Sequence, residues 1–185
     1  MLFRSSMRVV RQRMADEFPD MRHDLTFLRR QALAWHAREA GYAKDMVDEA
    51  FGIFFAARNA VEPFEDVVPA LERLGRRFRL MTLSNGNADL RVIGLEGYFE
   101  RTLAAREAGA AKPDPRIFVA LLDGVGLEPR QVLYVGDDPH ADIEGARNAG
   151  MHAAWVDRFG RQWPQDVAPP AMAVRDLLQL ADLLL

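Results

Sequence analysis

Residues 131–156 read QVLYVGDDPHADIEGARNAGMHAAWV. An apolar run, QVLYV, stops at Gly136. Twelve residues of helical character follow, PHADIEGARNAG, and then a second apolar run, MHAAWV. Strand, helix, strand in that order needs a crossover connection, which makes the two strands parallel neighbours in a sheet covered by helices. Three carboxylates, Asp137, Asp138 and Asp142, sit where the first strand gives way to the helix.

Working back towards the N-terminus, the same rhythm continues to about Pro63. VVPALERLGRR reads as a helix, FRLMTL as a strand, Ala88 to Ile93 as a short helix, FERTLAA as a strand and PRIFVALLDGVG as a helix. Beyond residue 156, Gln162 to Pro170 form a proline-rich loop, and AVRDLLQLADLLL reads as a last amphipathic helix. Before Pro63 no strand is evident. Three helical segments are expected instead, at about 3–18, 24–40 and 44–58. The first has Phe3, Met7, Val10, Met14 and Phe18 at steps of three and four. That stripe outweighs a transit-peptide reading of the four arginines in MLFRSSMRVVRQR. The expected fold is therefore α/β, a Rossmann-like, mainly parallel sheet with helices on both faces, plus a small α-helical unit. The expected boundaries are residues 1–62 and 63–185.

Composition narrows the function classes. With 27 acidic and 24 basic residues in 185, the chain carries a formal charge of -3, which offers no broad footprint for nucleic acid or anionic membrane. It has no cysteine, which excludes disulfides, thiolate metal sites and a cysteine nucleophile and suits a reducing compartment, with cytoplasm as the default. No run of about 18 apolar residues occurs that could span a bilayer. A small-molecule ligand and a monomer or homodimer are the expectation.

In open parallel sheets ligands bind beyond the carboxyl ends of the strands. At the first such end stand Ser84, Asn85 and Gly86, a hydroxyl and a glycine-containing turn able to offer a side-chain donor and backbone N–H groups to an anionic oxygen. Taken alone, the same residues read as an ordinary turn and helix cap. After the second strand comes AAKPDPRIF, in which prolines stiffen the backbone around Lys112. At the third end, Asp137 and Asp138 suit a hard cation such as Mg²⁺. Asp138 before Pro139 is also a good helix N-cap, and Asp142 a first-turn acid favoured by the helix dipole.

LMTLSNGN, AAKPDPRIF and YVGDDPHAD, in that order, resemble the second, third and fourth motifs of the haloacid dehalogenase superfamily, with the segment before Pro63 similar to its α-helical cap. The resemblance implies Ser84, Asn85, Gly86 and Lys112 as phosphate-binding residues, Ser84 and Lys112 as catalytic, and Asp137, Asp138 and Asp142 as the Mg²⁺ site, Asp142 supporting the orientation of the other two. Gly136, Asp137 and Asp138 stand where the superfamily's dehalogenases carry a Ser-Ser-Asn-type segment, so the resemblance implies a Mg²⁺-dependent phosphatase of a small phosphorylated metabolite rather than a 2-haloacid dehalogenase. RHDLTFLRRQAL and LSNGNADL further resemble bacterial flavin mononucleotide and riboflavin-pathway phosphatases. His23, Asp24 and Arg29 are the candidates for substrate choice; a cap box and a solvated helix face explain them equally.

One departure from the family stands out. Its first motif, DxDx[TV], supplies the nucleophilic aspartate and the general acid and base, and no such sequence occurs here. In the family that strand is central, between the strands that end here at Leu83 and Val135. The expectation is an N-terminally truncated form, short by roughly 20 to 30 residues, inactive alone and with two inner strand edges unpaired. The alternatives are a catalytically degenerate phosphate- or nucleotide-binding protein and an interaction fragment whose sheet a partner completes.

Overall fold

Alternation along one strand organises the packing. In β4 (His152–Val156), Ala153 and Trp155 join one apolar cluster while Ala154 and Val156 join another. The same division holds in β3 (Leu133–Gly136), where Tyr134 faces the first cluster and Leu133 and Val135 the second. A strand with period-two side chains can do this only when both of its faces are covered.

The computed structural model describes residues 2–185, with side chains from Ser6 onward. Three helices come first, α1 (Leu2–Glu17), α2 (Leu25–Glu39) and α3 (Met46–Asn59). Val10 and Met14 of α1 and Leu28 and Ala32 of α2 form a buried centre, with Met7 and Trp35 packed against it. The apolar stripe anticipated on α1 is thus the packed face, although Phe18 sits at its exposed end and the Phe3 side chain lies outside the described residues. Asp24 starts α2 by accepting from the backbone N–H groups of Thr26 and Phe27, both at 2.9 Å.

The alternating part follows as α4 (Val67–Gly75), β1 (Met81–Ser84), α5 (Leu90–Ile93), β2 (Arg101–Ala104), α6 (Ala105–Ala108) and α7 (Pro115–Leu122). After β3 come a π-helical segment (Pro139–Glu144), α8 (Gly145–Asn148), β4, β5 (Met172–Val174) and α9 (Leu177–Leu184). Helices α7 and α8 cover one face with Ile117, Phe118, Leu121 and Ala146; α4 and α9 cover the other with Leu74, Leu180 and Ala181. Burying a side chain such as Phe118 or Ile117 completely is worth about 1.5–3 kcal/mol, so this double covering is what fixes the strands.

Every strand pairing among the described residues is parallel. The strands form two sheets, β1-β2 and β3-β4-β5. Among the described residues no strand pairs with the second edge of β1 or with the edge of β3 turned away from β4, yet Leu83 of β1 and Tyr134 of β3 belong to one apolar cluster.

Several element boundaries differ from the sequence reading. The strand expected from Phe78 starts at Met81, because the N–H groups of Arg77 and Phe78 still bond to Leu74 O and finish α4. The single helix expected over residues 139–150 is a π-helical segment that hands over to α8, with Asp142 and Ile143 both bonding back to Asp138 O. The last helix expected over 173–185 is shorter, since Met172–Val174 pair with β4 and Asp176 caps α9 by accepting from Gln179 N at 2.7 Å. Helix α6 occupies the end of the expected second strand.

The two layers are fastened at Asp66. Arg158 donates through Nη1 and Nη2 to its two carboxylate oxygens at 2.7 and 2.8 Å, and Leu177 N donates at 2.8 Å. The start of α4, the loop after β4 and the start of α9 thus meet at one carboxylate.

Candidate active site

The end of β1 passes directly into a tight turn. Ser84 Oγ accepts from Gly86 N at 2.9 Å, which closes the turn and leaves the hydroxyl hydrogen without a protein acceptor among the described residues. Asn85 is committed elsewhere. Its Nδ2 donates to Lys112 O at 2.9 Å, and its Oδ1 accepts from Lys112 N at 2.7 Å. This two-bond clasp holds the lysine backbone against the serine turn, so the Asn85 side chain serves as a brace.

From that brace the Lys112 side chain reaches across to the other sheet. Nζ lies 2.6 Å from Asp142 Oδ1, 2.9 Å from the Tyr134 hydroxyl and 3.4 Å from Leu83 O. Asp142 uses its other oxygen as well, because Oδ2 accepts from the N–H groups of Asp137 and Asp138, each at 3.0 Å. With the Tyr134 hydroxyl donating to Oδ1 at 3.2 Å, four protein donors surround the carboxylate of a buried residue. Asp142 therefore orients the turn after β3 and the lysine together, and its oxygens are occupied by the protein.

Two glycines make this approach possible. A Cβ on Gly136 would overlap Cβ and Cγ of Asp142, and one on Gly145 would stand 2.9 Å from the Phe118 ring and 3.0 Å from Pro113 Cα. Neither position has room for a side chain. Tyr134 was not singled out from sequence, where it read as one more apolar residue of β3. Burial, followed by the nearby charges of Asp142 and Asp137, drives its phenol well above the usual range, so it stays a neutral hydrogen-bonding group.

The outer acids differ from Asp142. Asp138 caps the π-helical segment with Oδ1, accepting from His140 N at 3.0 Å and Ala141 N at 2.8 Å, while Oδ2 has no protein donor among the described residues. The Asp137 carboxylate is 76% exposed, with Arg161 at 3.6 Å. Trp155 and Arg161 also fix the Asp137 carbonyl, donating to it at 3.1 and 2.6 Å. Among the described residues no group of three or more His, Cys, Asp or Glu side chains is arranged to hold a metal. Two carboxylates with open coordination positions are nevertheless a donor set that Mg²⁺ accepts, since it keeps water and phosphate oxygens in its remaining places.

The N-terminal helices rest on the same serine turn. Arg29 Nη1 donates to Asn87 Oδ1 at 2.7 Å, Asn87 Nδ2 to Thr26 Oγ1 at 3.2 Å, and Asp89 N to Asn59 Oδ1 at 2.7 Å. Asp24, besides capping α2, pairs with Arg106 at 3.3 Å. A cleft of about 550 Å³ opens along this seam, with His23, Asp24 and Thr26 on one side and Ser84 to Asn87 on the other. Lys112, Asp137 and Asp138 lie outside its lining. The structure thus joins Asn85, Lys112 and the three aspartates through one chain of hydrogen bonds, with Ser84 next to Asn85 in its own turn, and places His23, Asp24 and Arg29 along the adjoining seam.

Residues 4–150 match the haloacid dehalogenase-like hydrolase family. The chain belongs to that family. The chain is 37% identical over 149 residues to a phosphoserine phosphatase of Thermus thermophilus, an alignment covering 77% of this chain and 59% of that protein. It is 28% identical over 151 residues to the 5-amino-6-(5-phospho-D-ribitylamino)uracil phosphatase YigB of Escherichia coli, covering 80% of this chain and 63% of the relative. The chain thus spans about three-fifths of the length of these curated relatives. Among solved structures, a 2-haloacid dehalogenase from Pseudomonas syringae pv. Tomato superposes with a TM-score of 0.88 at 37% identity, over 97% of this chain and 80% of that one. The expected haloacid dehalogenase-like α/β fold is the one observed, and no helix among the described residues is long and apolar enough to cross a membrane.

Proposed function

We propose that this chain is the greater part of a Mg²⁺-dependent phosphatase for a small phosphorylated metabolite, completed by a strand that pairs between β1 and β3 and brings the carboxylate nucleophile. The observation that carries the reading is the placement of Lys112. Its ammonium bridges Leu83 O, at the end of one sheet, to Asp142, which organises the end of the other. A cation fixed there, at the strand end that leads into Ser84, is suited to neutralise both a phosphoryl group and an attacking carboxylate.

In this reading Ser84 and the amides of its turn orient phosphoryl oxygens, Lys112 offsets the charge that develops on them, and Asp142 keeps Lys112 and the Asp137–Asp138 backbone in register. The incoming carboxylate oxygen forms a bond to phosphorus as the ester oxygen leaves and takes a proton. Water then cleaves the acyl phosphate, releasing phosphate and restoring the carboxylate. Asp137 and the free oxygen of Asp138 would hold Mg²⁺, whose charge stabilises the phosphoryl oxygens when it is bound. The phosphatases among the relatives favour phosphomonoesters as substrates. Flavin mononucleotide and riboflavin-precursor phosphates are candidates on the motif resemblance, 5-amino-6-(5-phospho-D-ribitylamino)uracil on the likeness to YigB, and phosphoserine on the likeness to the Thermus protein.

Calorimetry of the 185-residue chain with inorganic phosphate tests the site without needing turnover. Saturable binding that Ser84→Ala weakens several-fold is expected; a folded chain that gives no heat rules the reading out. A synthetic peptide bearing a DxD strand, added with Mg²⁺ and a phosphomonoester, tests the completion. A second reading, hydrolytic dehalogenation, is favoured by the likeness to the Pseudomonas structure. It predicts halide release from a 2-haloacid by the completed protein without added Mg²⁺, an outcome that would displace the phosphatase assignment.

A further inference from the structure

Three helices of the N-terminal unit bring arginines together, and two of these, Arg29 and Arg58, reach the serine turn. Arg29 on α2 is half-buried. Its guanidinium is held below the usual arginine range first by burial and then by the like charges of Arg11 on α1 and Arg58 on α3, and no carboxylate acts on it. Neither Arg11 nor Arg58 makes an ion pair or hydrogen bond among the described residues, and both are half-buried. The cluster adjoins the phosphate-binding turn: a Cβ on Gly86 would lie 3.5 Å from Arg58 Nη2 and 3.1 Å from Ser84 Oγ.

Three partly buried cations without an acid repel one another, an arrangement that costs stability unless an anion joins them. Among the described residues no acid pairs with any of the three. Arg29 holds its guanidinium 4.5 Å from the centre of the Phe54 ring and gives Nη1 to Asn87, and its Nε and Nη2 groups have no protein acceptor among the described residues. That planar fork matches a carboxylate. We propose that Arg11, Arg29 and Arg58 form a second anion subsite beside the Ser84 turn, which takes the carboxylate of a phosphorylated organic acid. The inference rests on the phosphatase reading and deepens it, making the preferred substrate an acid esterified with phosphate a few bonds from its carboxylate.

Three ligands distinguish the two ideas in calorimetry on the 185-residue chain: inorganic phosphate, glycerol 3-phosphate and 3-phosphoglycerate. The two esters differ by a carboxylate in place of a hydroxymethyl group. The acid should bind at least ten-fold more tightly than the ester without a carboxylate, with a steeper loss of affinity as salt is raised. Arg58→Gln should bring the ratio of the two affinities close to one, Arg58→Lys should recover part of it, and Arg11→Gln, on another helix, should repeat the effect should Arg58→Gln fail to fold. Equal affinities for the two esters in the unaltered chain overturn the subsite while leaving phosphate binding intact. A bisphosphate ester of the same length that binds ten-fold better than 3-phosphoglycerate overturns the choice of carboxylate. If a folded chain binds none of the ligands, the subsite falls together with the phosphatase reading.

Discussion

Lys112 Nζ and Asp142 Oδ1 stand 2.6 Å apart, with only 11% and 6% of their side chains exposed. They come from different parts of the chain, the loop between α6 and α7 and the helical turn after β3, and among the described residues no other ion pair joins two of the candidate site residues. The edges of β1 and β3 that no strand pairs with among the described residues are bridged here by a side chain and not by a backbone ladder.

Breaking that pair from the acid side should be expensive. Asp142→Asn keeps the shape but leaves Lys112 charged, buried and without its counter-ion, a situation that costs about 3–5 kcal/mol. Lys112→Met should cost less, because Asp142 retains the Tyr134 hydroxyl and two backbone N–H groups. Urea denaturation of both variants and of the double variant checks this. The double variant should be far less destabilised than the sum of the two single changes; strict additivity would show that the residues act independently.

Gly136→Ala tests the close approach. The added methyl group has nowhere to go except into Asp142, so either the strand end or the carboxylate must shift. A loss of about 2 kcal/mol or more in unfolding free energy is expected, together with weaker binding of inorganic phosphate as Lys112 loses its alignment. Gly97→Ala, where a Cβ would meet nothing within 4 Å, is the control and should stay within about 0.5 kcal/mol of the parent.

These two positions also show what the sequence made legible. The glycine and the three aspartates were visible as a strand end with acids, and the motif order with Ser84 and Lys112 was enough to expect the fold. The division of labour among the acids was not visible, because spacing cannot say which carboxylate is surrounded by donors. Tyr134 escaped notice for a similar reason: inside an apolar strand a phenol reads as hydrophobic until its hydroxyl is seen beside a lysine. Strand β5, three residues long, is too short to show any period, and only its pairing with β4 defines it. The arginine cluster depends on the packing of three helices, which no local pattern reveals.

Acid should loosen the fold at Asp66 in a defined direction. The hydrogen bonds from Arg158, opposed by partial burial, hold its carboxyl below the usual range. A folded-state pKa depressed in this way contributes stability that is complete above the unfolded-state value near 3.8 and is lost as pH falls through the folded-state value. Asp66→Asn should therefore cost about 2–3 kcal/mol at pH 7, and the gap from the parent should close progressively below about pH 4. Urea midpoints of parent and variant, measured from pH 7 down to pH 2, follow this directly. A gap that persists unchanged in acid would assign the loss to packing and not to charge.

The phenol of Tyr134 gives the opposite sign. Its folded-state pKa is raised, so its contribution is complete below the unfolded-state value near 10 and is lost as pH rises above it. Tyr134→Phe removes one donor to Asp142 and one acceptor for Lys112, a cost of about 1–2 kcal/mol at neutral pH. Above pH 10 the exposed phenol of the unfolded parent ionises and draws the chain towards unfolding, and the variant has no such proton to release, so the two stabilities should converge there. Thermal melts at pH 7 and pH 10.5 separate this from a simple packing defect, which would keep the same difference at both.

Asp138 performs two tasks that one substitution can separate. Oδ1 caps the π-helical segment, while Oδ2 faces away from any protein donor among the described residues. Asparagine is as good an N-cap as aspartate but carries no charge, so Asp138→Asn should leave the melting temperature in the absence of metal within a few degrees of the parent. In a protein completed with its nucleophile-bearing strand, the same change should raise the Mg²⁺ concentration needed for half-maximal phosphate release by ten-fold or more, since one of two hard ligands is lost. Asp138→Ala, lacking the cap as well, should add a stability loss of about 1 kcal/mol. A Mg²⁺ titration that is identical for parent and Asp138→Asn would remove Asp138 from the metal site and leave it only the helix cap.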